Sequence, residues 1–203
     1  MKPKVFNAAM EHLQKDSRLG AFELKERKPP FKRPNEPFHS LIRSIIYQQL
    51  SGKAAGTILK NLLSFFDDDF PTPQQLLKVT DAKFRKAGVS SQKVSYLRDL
   101  SKRFIDGTID PTNFKNMTDE EIREHLLVVK GVGRWTADMF LMFTLYRPDV
   151  LPTGDLAIQK GFKKVFKLRT MPDAAKMIHL AKPWQPYRTV ACWRLWEMMD
   201  AEN

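Results

Sequence analysis

The stretch that most constrains this chain is Val128-Val129-Lys130-Gly131-Val132-Gly133-Arg134-Trp135-Thr136-Ala137-Asp138. An apolar amphipathic run ends, the chain turns through Gly-Val-Gly, and a second helical run begins at once, so two helices must meet across a tight turn. Glycine at both turn positions permits φ > 0 and removes side chains from whatever approaches the loop. The amides that open the second helix have no intrahelical acceptors and offer a place for an anion such as a phosphate. Gly-x-Gly by itself also fits a helix C-cap followed by a short connection. Three neighbours favour the anion reading. Thr118-Asp119-Glu120-Glu121 is a capping box that starts the first helix, Arg134 follows the turn directly, and the proline-free run from Trp135 to Leu145 continues as an apolar helix. In a basic chain this combination reads as a clamp on a nucleic-acid backbone.

The charge agrees with such a partner. Lys and Arg number 34 against 23 Asp and Glu, a formal net charge of +11, scattered through the chain without a basic tail. With 203 residues and 42% apolar content, the chain can bury the core of one domain or of two small lobes. Cys192 is the only cysteine, which excludes an internal disulfide, a Cys-based zinc site and a four-cysteine iron–sulfur cluster, and fits a reducing compartment. His12, His39, His125 and His179 are far apart, so a metal held by side chains is not expected. No apolar run reaches about 18 residues, so no membrane span is expected. Met1-Lys2-Pro3-Lys4 is not followed by a signal-peptide core.

Periodicity and caps give helices almost everywhere and no convincing alternating strand. The expectation is an all-α fold of roughly nine or ten short helices. Val5 to Asp16 is amphipathic. The segment 28–37, with Pro29, Pro30, Pro34 and Pro37, reads as an extended linker. Phe38 to Gln48 carries Leu41, Ile42, Ile45 and Ile46 on one side. Ser51, Thr72-Pro73, Asp81 and Ser90 or Ser91 open the helices that follow. Gly88 and Gly107 close two of them, Pro172 starts another, and the last runs from Pro186 to Met199.

A stiff loop, Arg147-Pro148-Asp149-Val150-Leu151-Pro152-Thr153-Gly154, leads to Asp155 at the start of a further helix. Alone, Asp155 reads as an ordinary N-cap. A carboxylate held at a helix N-terminus repels phosphate, yet it is useful where positive charge develops, as on a sugar during glycosidic cleavage. Lys93, Arg134 and Lys160 are candidate phosphate contacts, though such a residue taken alone is more often a solvated surface charge. Asp138 reads as a structural hydrogen-bond acceptor, Asp149 as a brace for its loop, Cys192 as a small core residue, and Asp67-Asp68-Asp69 as an acidic helix end without metal-ligand company.

The order Val-Lys-Gly-Val-Gly-Arg-Trp-Thr-Ala, then Arg-Pro-Asp-x-x-Pro-x-x-Asp, resembles the helix-hairpin-helix (HhH-GPD) DNA glycosylases. It is closest to the 3-methyladenine DNA glycosylase II branch. Ile45-Ile46-Tyr47-Gln48-Gln49-Leu50-Ser51 is similar to that family's segment before its DNA-probing turn, and Ala87-Gly88-Val89-Ser90-Ser91-Gln92-Lys93-Val94-Ser95-Tyr96-Leu97 to a second recurring stretch; together the motifs cover most of residues 38–200. The resemblance implies a single glycosylase domain over 1–203, built as two helical lobes with a DNA-binding and active-site cleft between them. Its parts would be an N-terminal helix and linker (1–37) on the C-terminal lobe, a central lobe (38–145) with the hairpin at 127–137, and a catalytic loop with C-terminal helices (146–203). The β-rich N-terminal domain of some relatives has no place in residues 1–37.

Carried over by position, Asp155 takes the catalytic aspartate, and Gly131, Val132, Gly133 and Arg134 take the hairpin on DNA. Gln48, Gln49, Leu50 and Ser51 take the probing turn, with Gln49 or Leu50 as the wedge, while Ser90 and Lys93 add DNA contacts. Trp135 and Trp193 match pocket aromatics, and Met139, one turn after Trp135, adds a polarizable wall. Trp184, Trp196, Phe140 and Phe143 read as core. The carbonyls of Leu127, Val129 and Val132 match those that hold Na+ or K+ beside a phosphate in the family; no cofactor is otherwise required.

Trp135 stands where strand-cutting relatives carry a lysine nucleophile. The expected enzyme is therefore monofunctional: it flips an alkylated purine out of duplex DNA, hydrolyses the N-glycosidic bond and leaves an abasic site. The partner is damaged double-stranded DNA, the chain acts as a monomer, and no membrane is involved. The location is cytoplasmic with the nucleoid in a bacterium or archaeon, nuclear in a eukaryote. The alternatives are a non-catalytic DNA-binding module on the same hairpin, or a glycosylase of the same fold for mismatched or oxidised bases.

Overall fold

The computed structural model describes residues 1–20, 36–67 and 69–201, so most of the expected linker at 28–37 lies outside the described residues. Its last residue, Pro37, is helical. It occupies the first position of a helix, where its fixed φ suits the turn and its missing N–H leaves no bond unmade.

Among the described residues there is no strand. The chain runs through α1 (Pro3–Gln14), α2 (Ser17–Gly20), α3 (Pro37–Tyr47), α4 (Gly52–Leu63), α5 (Pro73–Leu77), α6 (Asp81–Ala87), α7 (Ser91–Ile105), α8 (Asp119–Leu127) and α9 (Arg134–Phe143). It ends with α10 (Leu156–Val165), α11 (Ala174–Leu180) and α12 (Arg188–Asp200). Short 3-10 turns cover Ser64–Phe66, Pro111–Asn116 and Lys182–Trp184. α2, with 4 residues, is too short to show a period and was not expected, whereas α5 begins at the Thr72-Pro73 start that the sequence displays. Three boundaries differ from the reading above. Thr80, not Asp81, caps α6 by accepting the Lys83 amide at 3.3 Å; Asp173, not Pro172, caps α11; and the last helix begins at Arg188, beyond the 3-10 turn at Lys182–Trp184.

The chain divides into two compact units, Asn35–Phe140 and Met1–Pro34 with Leu141–Asn203. The division falls inside α9, earlier than the expected 145, because the last three residues of that apolar helix, Leu141 to Phe143, belong to the other unit. In the first unit, α3 is buried through Leu41, Ile42, Ile45 and Ile46, each worth about 1.5–3 kcal/mol of burial. These four positions recur at helical spacing and make the apolar stripe that the sequence displays. α3 packs on α7, where Phe38 meets Phe104 with ring centroids 4.9 Å apart, and α7 also packs on α5. Gly88 ends α6 in the left-handed conformation, φ +87°.

In the second unit α12 is the centre. Residues 189–195 are all buried, so this helix is enclosed on every side rather than amphipathic. It crosses α10 where Gly161 lets the two backbones approach: a Cβ there would stand 3.0 Å from Leu195 Cβ. α1 also rests on α12, with Phe6 edge-on to Trp193 at 5.4 Å. Trp184 is enclosed by Phe162 and Phe166 and donates its indole N–H to Asp16 at 2.9 Å.

Candidate functional site

The loop before Asp155 is fastened to the start of α12. Asp149 accepts the Arg188 guanidinium at 2.6 and 2.8 Å, which bears out its reading as a brace. Thr189 donates its hydroxyl to the Arg147 carbonyl at 2.6 Å, accepts the Val150 amide at 3.0 Å, and sends its own amide to the Pro148 carbonyl at 3.0 Å. The Asp155 amide closes a turn on the Pro152 carbonyl, and Gln159 reaches back to the Thr153 carbonyl. Asp155 therefore enters α10 on a fixed backbone. Its Oδ1 accepts the Ile158 amide at 2.9 Å, an N-cap bond, and only 9% of the residue is exposed.

The same oxygen accepts a second donor, the Trp196 indole N–H at 3.1 Å. Trp196 also packs on Phe143, centroids 5.9 Å apart. The tryptophan bonded to Asp155 is thus one that the sequence reading placed in the core. Trp193, matched to the base pocket, is 8% exposed and lies edge-on to Phe6. Trp196, assigned to the core, is the one that touches the carboxylate. The two are three residues apart on α12, within one helical turn, yet they meet different partners, Phe6 for Trp193 and Asp155 for Trp196. The sequence signal lay in Asp155 itself: a buried carboxylate needs donors beyond its own helix.

The hairpin residues lie in the other unit. Gly131 is required by the fold, because its φ is +79° and a Cβ would overlap the Tyr96 ring. Gly133 is not: its φ is not positive and a Cβ would meet nothing within 4 Å, which corrects the reading that both glycines serve φ > 0. An open glycine that folding does not demand leaves its backbone accessible from outside. The amides of Gly131, Gly133 and Arg134 donate to no backbone acceptor among the described residues. Amides without backbone acceptors at a helix start are the kind of donor that an anion takes. Val132 is buried and anchors the turn from behind.

Neighbouring elements hold the hairpin in place. Asp99 on α7 accepts the Lys130 amide at 2.9 Å. Gln48 donates Nε2–H to the Gly131 carbonyl at 2.7 Å, so the α3–α4 turn and the hairpin are directly joined. Within that turn Gln49 has φ +56°, a strained conformation for a non-glycine residue, and Leu50 is 40% exposed. Ser51 accepts the Ala54 amide and Ser90 the Lys93 amide, so both hydroxyls cap helices. Lys93 differs from its reading as a phosphate contact. Its ammonium donates to the Ile46 and Gln48 carbonyls at 2.7 and 2.9 Å, drawn to the exposed carbonyls at the end of α3. Burial lowers its pKa.

Arg134 is presented by a chain of charges. It pairs with Glu120 through two hydrogen bonds of 3.0 and 3.1 Å; Glu120 also accepts Arg123 at 2.9 Å, and Arg123 binds Asp138 at 2.7 Å. Asp138, 3% exposed, is the structural acceptor that the sequence suggested; burial raises its pKa against the pull of Arg123. The ladder ties α8 to α9 across the turn. Trp135, on the first turn of α9, is 49% exposed, and Met139 is half-buried one turn on.

Among the described residues no group of His, Cys, Asp and Glu could hold a metal ion. Backbone carbonyls are the donors an alkali cation takes. Of those matched to that role, Val129 already accepts the Val132 amide at 3.1 Å, while the Leu127 and Val132 carbonyls accept no backbone amide outside the helices among the described residues. By chemistry these carbonyls are oxygen donors of the kind a monovalent cation takes.

Residues 42–186 match the family profile described as HhH-GPD superfamily base excision DNA repair protein. Over 165 residues the chain is 35% identical to DNA-3-methyladenine glycosylase 1 of Schizosaccharomyces pombe, covering 80% of this chain and 72% of that protein. A solved structure of 3-methyladenine DNA glycosylase from the same yeast, in complex with abasic DNA, superimposes with a TM-score of 0.77 at 30% identity over 95% of this chain and 97% of that one. A DNA-3-methyladenine glycosidase from Bacillus halodurans superimposes with a TM-score of 0.82 at 35% identity over 100% of this chain and 92% of that one.

Proposed function

The chain belongs to the HhH-GPD superfamily of base excision DNA repair proteins, and we propose from that premise that it is a monofunctional DNA glycosylase releasing 3-methyladenine-type bases from duplex DNA. The observation that carries the reading is Asp155, a nearly buried carboxylate fixed by the Ile158 amide and the Trp196 indole. Similarity to proteins named 3-methyladenine DNA glycosylases, at 35% identity and at TM-scores of 0.77 and 0.82, supports the substrate class.

The hairpin amides and Arg134 take the phosphates, and the Gln48–Ser51 turn enters the space left by the extruded nucleotide, with Gln49 or Leu50 as the wedge. The flipped base lies against the exposed Trp135 face with Met139 beside it, an attraction that favours a cationic, alkylated ring. The C1′–N bond breaks, its electron pair leaves with the base, and the alkylated purine departs neutral without a proton from the enzyme. Asp155 stabilises the oxocarbenium-like sugar. A water oxygen then bonds to C1′, its proton passes to solvent, and an abasic site remains. No lysine lies in α9, so there is no amine there for a Schiff base. The Leu127, Val129 and Val132 carbonyls would hold a monovalent cation, which supplies positive charge for a phosphate.

Asp155→Asn keeps the shape of the side chain and removes its charge. The expected result is release of 3-methyladenine by the wild type alone, with equal duplex affinity and an uncut backbone until alkali is added. Unchanged release by the variant rejects Asp155. Binding without release by the wild type across several lesions favours a non-catalytic module.

A further inference from the structure

Outside the hairpin, one concavity gathers unpaired positive charge. It is a groove of about 350 Å³ between α6, α7 and Lys130, lined by apolar Val89 and Val94 beneath a polar rim. On α7, Ser91, Ser95, Arg98 and Lys102 follow one another at spacings of four, three and four residues and so form one stripe along the helix. Arg85 faces them from α6 and Lys130 from the hairpin.

The acids of the groove are already committed. Asp81 binds Arg98, which also reaches the Val79 carbonyl. Asp99 accepts the Arg103 guanidinium at 3.0 Å and the Lys130 amide at 2.9 Å. Arg85, Lys102 and Lys130 make no ion pair among the described residues. The lining holds four cations, Arg85, Arg98, Lys102 and Lys130, against two acids, Asp81 and Asp99, so net positive charge remains to favour an anion, and hydroxyls at Ser91 and Ser95 supply neutral donors between them.

We propose that this groove is a second backbone-binding site that takes phosphodiester groups of duplex DNA beyond those at the hairpin; it rests on the reading that the chain binds duplex DNA. The stripe from Ser91 to Lys102 is about 16 Å long at 1.5 Å per residue. That is long enough to reach two neighbouring phosphates of one strand. Asp99 and Lys130 make the groove continuous with the hairpin, because one holds the amide of the other directly before Gly131. The groove adds affinity without reading sequence and takes no part in bond cleavage.

The test uses the full chain and an undamaged duplex. Binding is followed by anisotropy from about 50 to about 200 mM salt for wild type, Arg85→Gln/Lys102→Gln and a control with Lys60→Gln/Lys115→Gln. The groove variant is expected to weaken binding and to flatten the log–log salt slope by about 1.8, two phosphate contacts at about 0.9 each. The control keeps the wild-type slope. Single-turnover base release at saturating DNA stays within about twofold of wild type, since k for the chemical step does not involve these side chains. An unchanged slope in a folded Arg85→Glu/Lys102→Glu variant, or an equal loss in the control, overturns the groove alone. A wild type that binds no duplex overturns both the groove and the reading beneath it.

Discussion

The Tyr96 ring lies where a Cβ on Gly131 would stand, and Gly131 itself has φ +79°. The two hairpin glycines therefore answer to different demands, one to the fold and one to what approaches from outside.

Gly131→Ala is expected to destabilise the protein by at least about 2 kcal/mol, combining left-handed backbone strain with overpacking against the ring. Gly133→Ala leaves stability within about 0.5 kcal/mol, since its site is open, and weakens duplex binding on the order of tenfold by obstructing the amides. Urea unfolding beside DNA titration separates the two. Equal effects of both substitutions on stability would contradict the assignment.

Trp196→Phe keeps the ring against Phe143 and removes the donor to Asp155. Single-turnover base release is expected to fall on the order of tenfold, the worth of one hydrogen bond to a charged group, with duplex affinity unchanged. Trp193→Phe, one turn away and packed on Phe6, is expected to lower stability with little change in that rate. If the two variants lose release equally, Trp196 is not positioning the carboxylate.

Asp99 supplies a pH dependence of stability. Burial pushes its pKa up, but the Lys130 amide and Arg103 guanidinium outweigh it and hold the carboxyl below its ordinary 3.8. A carboxylate more acidic in the folded state contributes stability that is complete above its unfolded value and is lost as pH falls through the lower, folded one. At neutral pH Asp99→Asn is expected to cost about 1–2 kcal/mol, and the gap from wild type should close in acid below pH 3.8. Urea unfolding at neutral and acid pH tests this; a gap that does not change with pH would show that the charge is irrelevant.

Much of the fold could be read from local chemistry. The capping boxes at Thr118–Glu121 and Thr72–Gln75 fix helix starts through bonds between residues three apart. The stripe of Leu41, Ile42, Ile45 and Ile46 marks the buried face of α3. Asp155 was visible as a cap, and a cap it is. The settings of Lys93 and Trp193 were not legible for one reason: their neighbours come from residues far along the chain, Ile46 and Gln48 for the lysine and Phe6 for the tryptophan.

The sequence by itself determined the helices, the tight turn at Gly131-Val132-Gly133 and the residue types offered to DNA, because caps, helical periodicity and glycine conformations act over a few residues. Tertiary structure alone decided which indole reaches Asp155, which glycine the fold requires and where the Lys93 ammonium points. Each of those outcomes depends on a partner from another element, brought into contact only when the apolar faces pack.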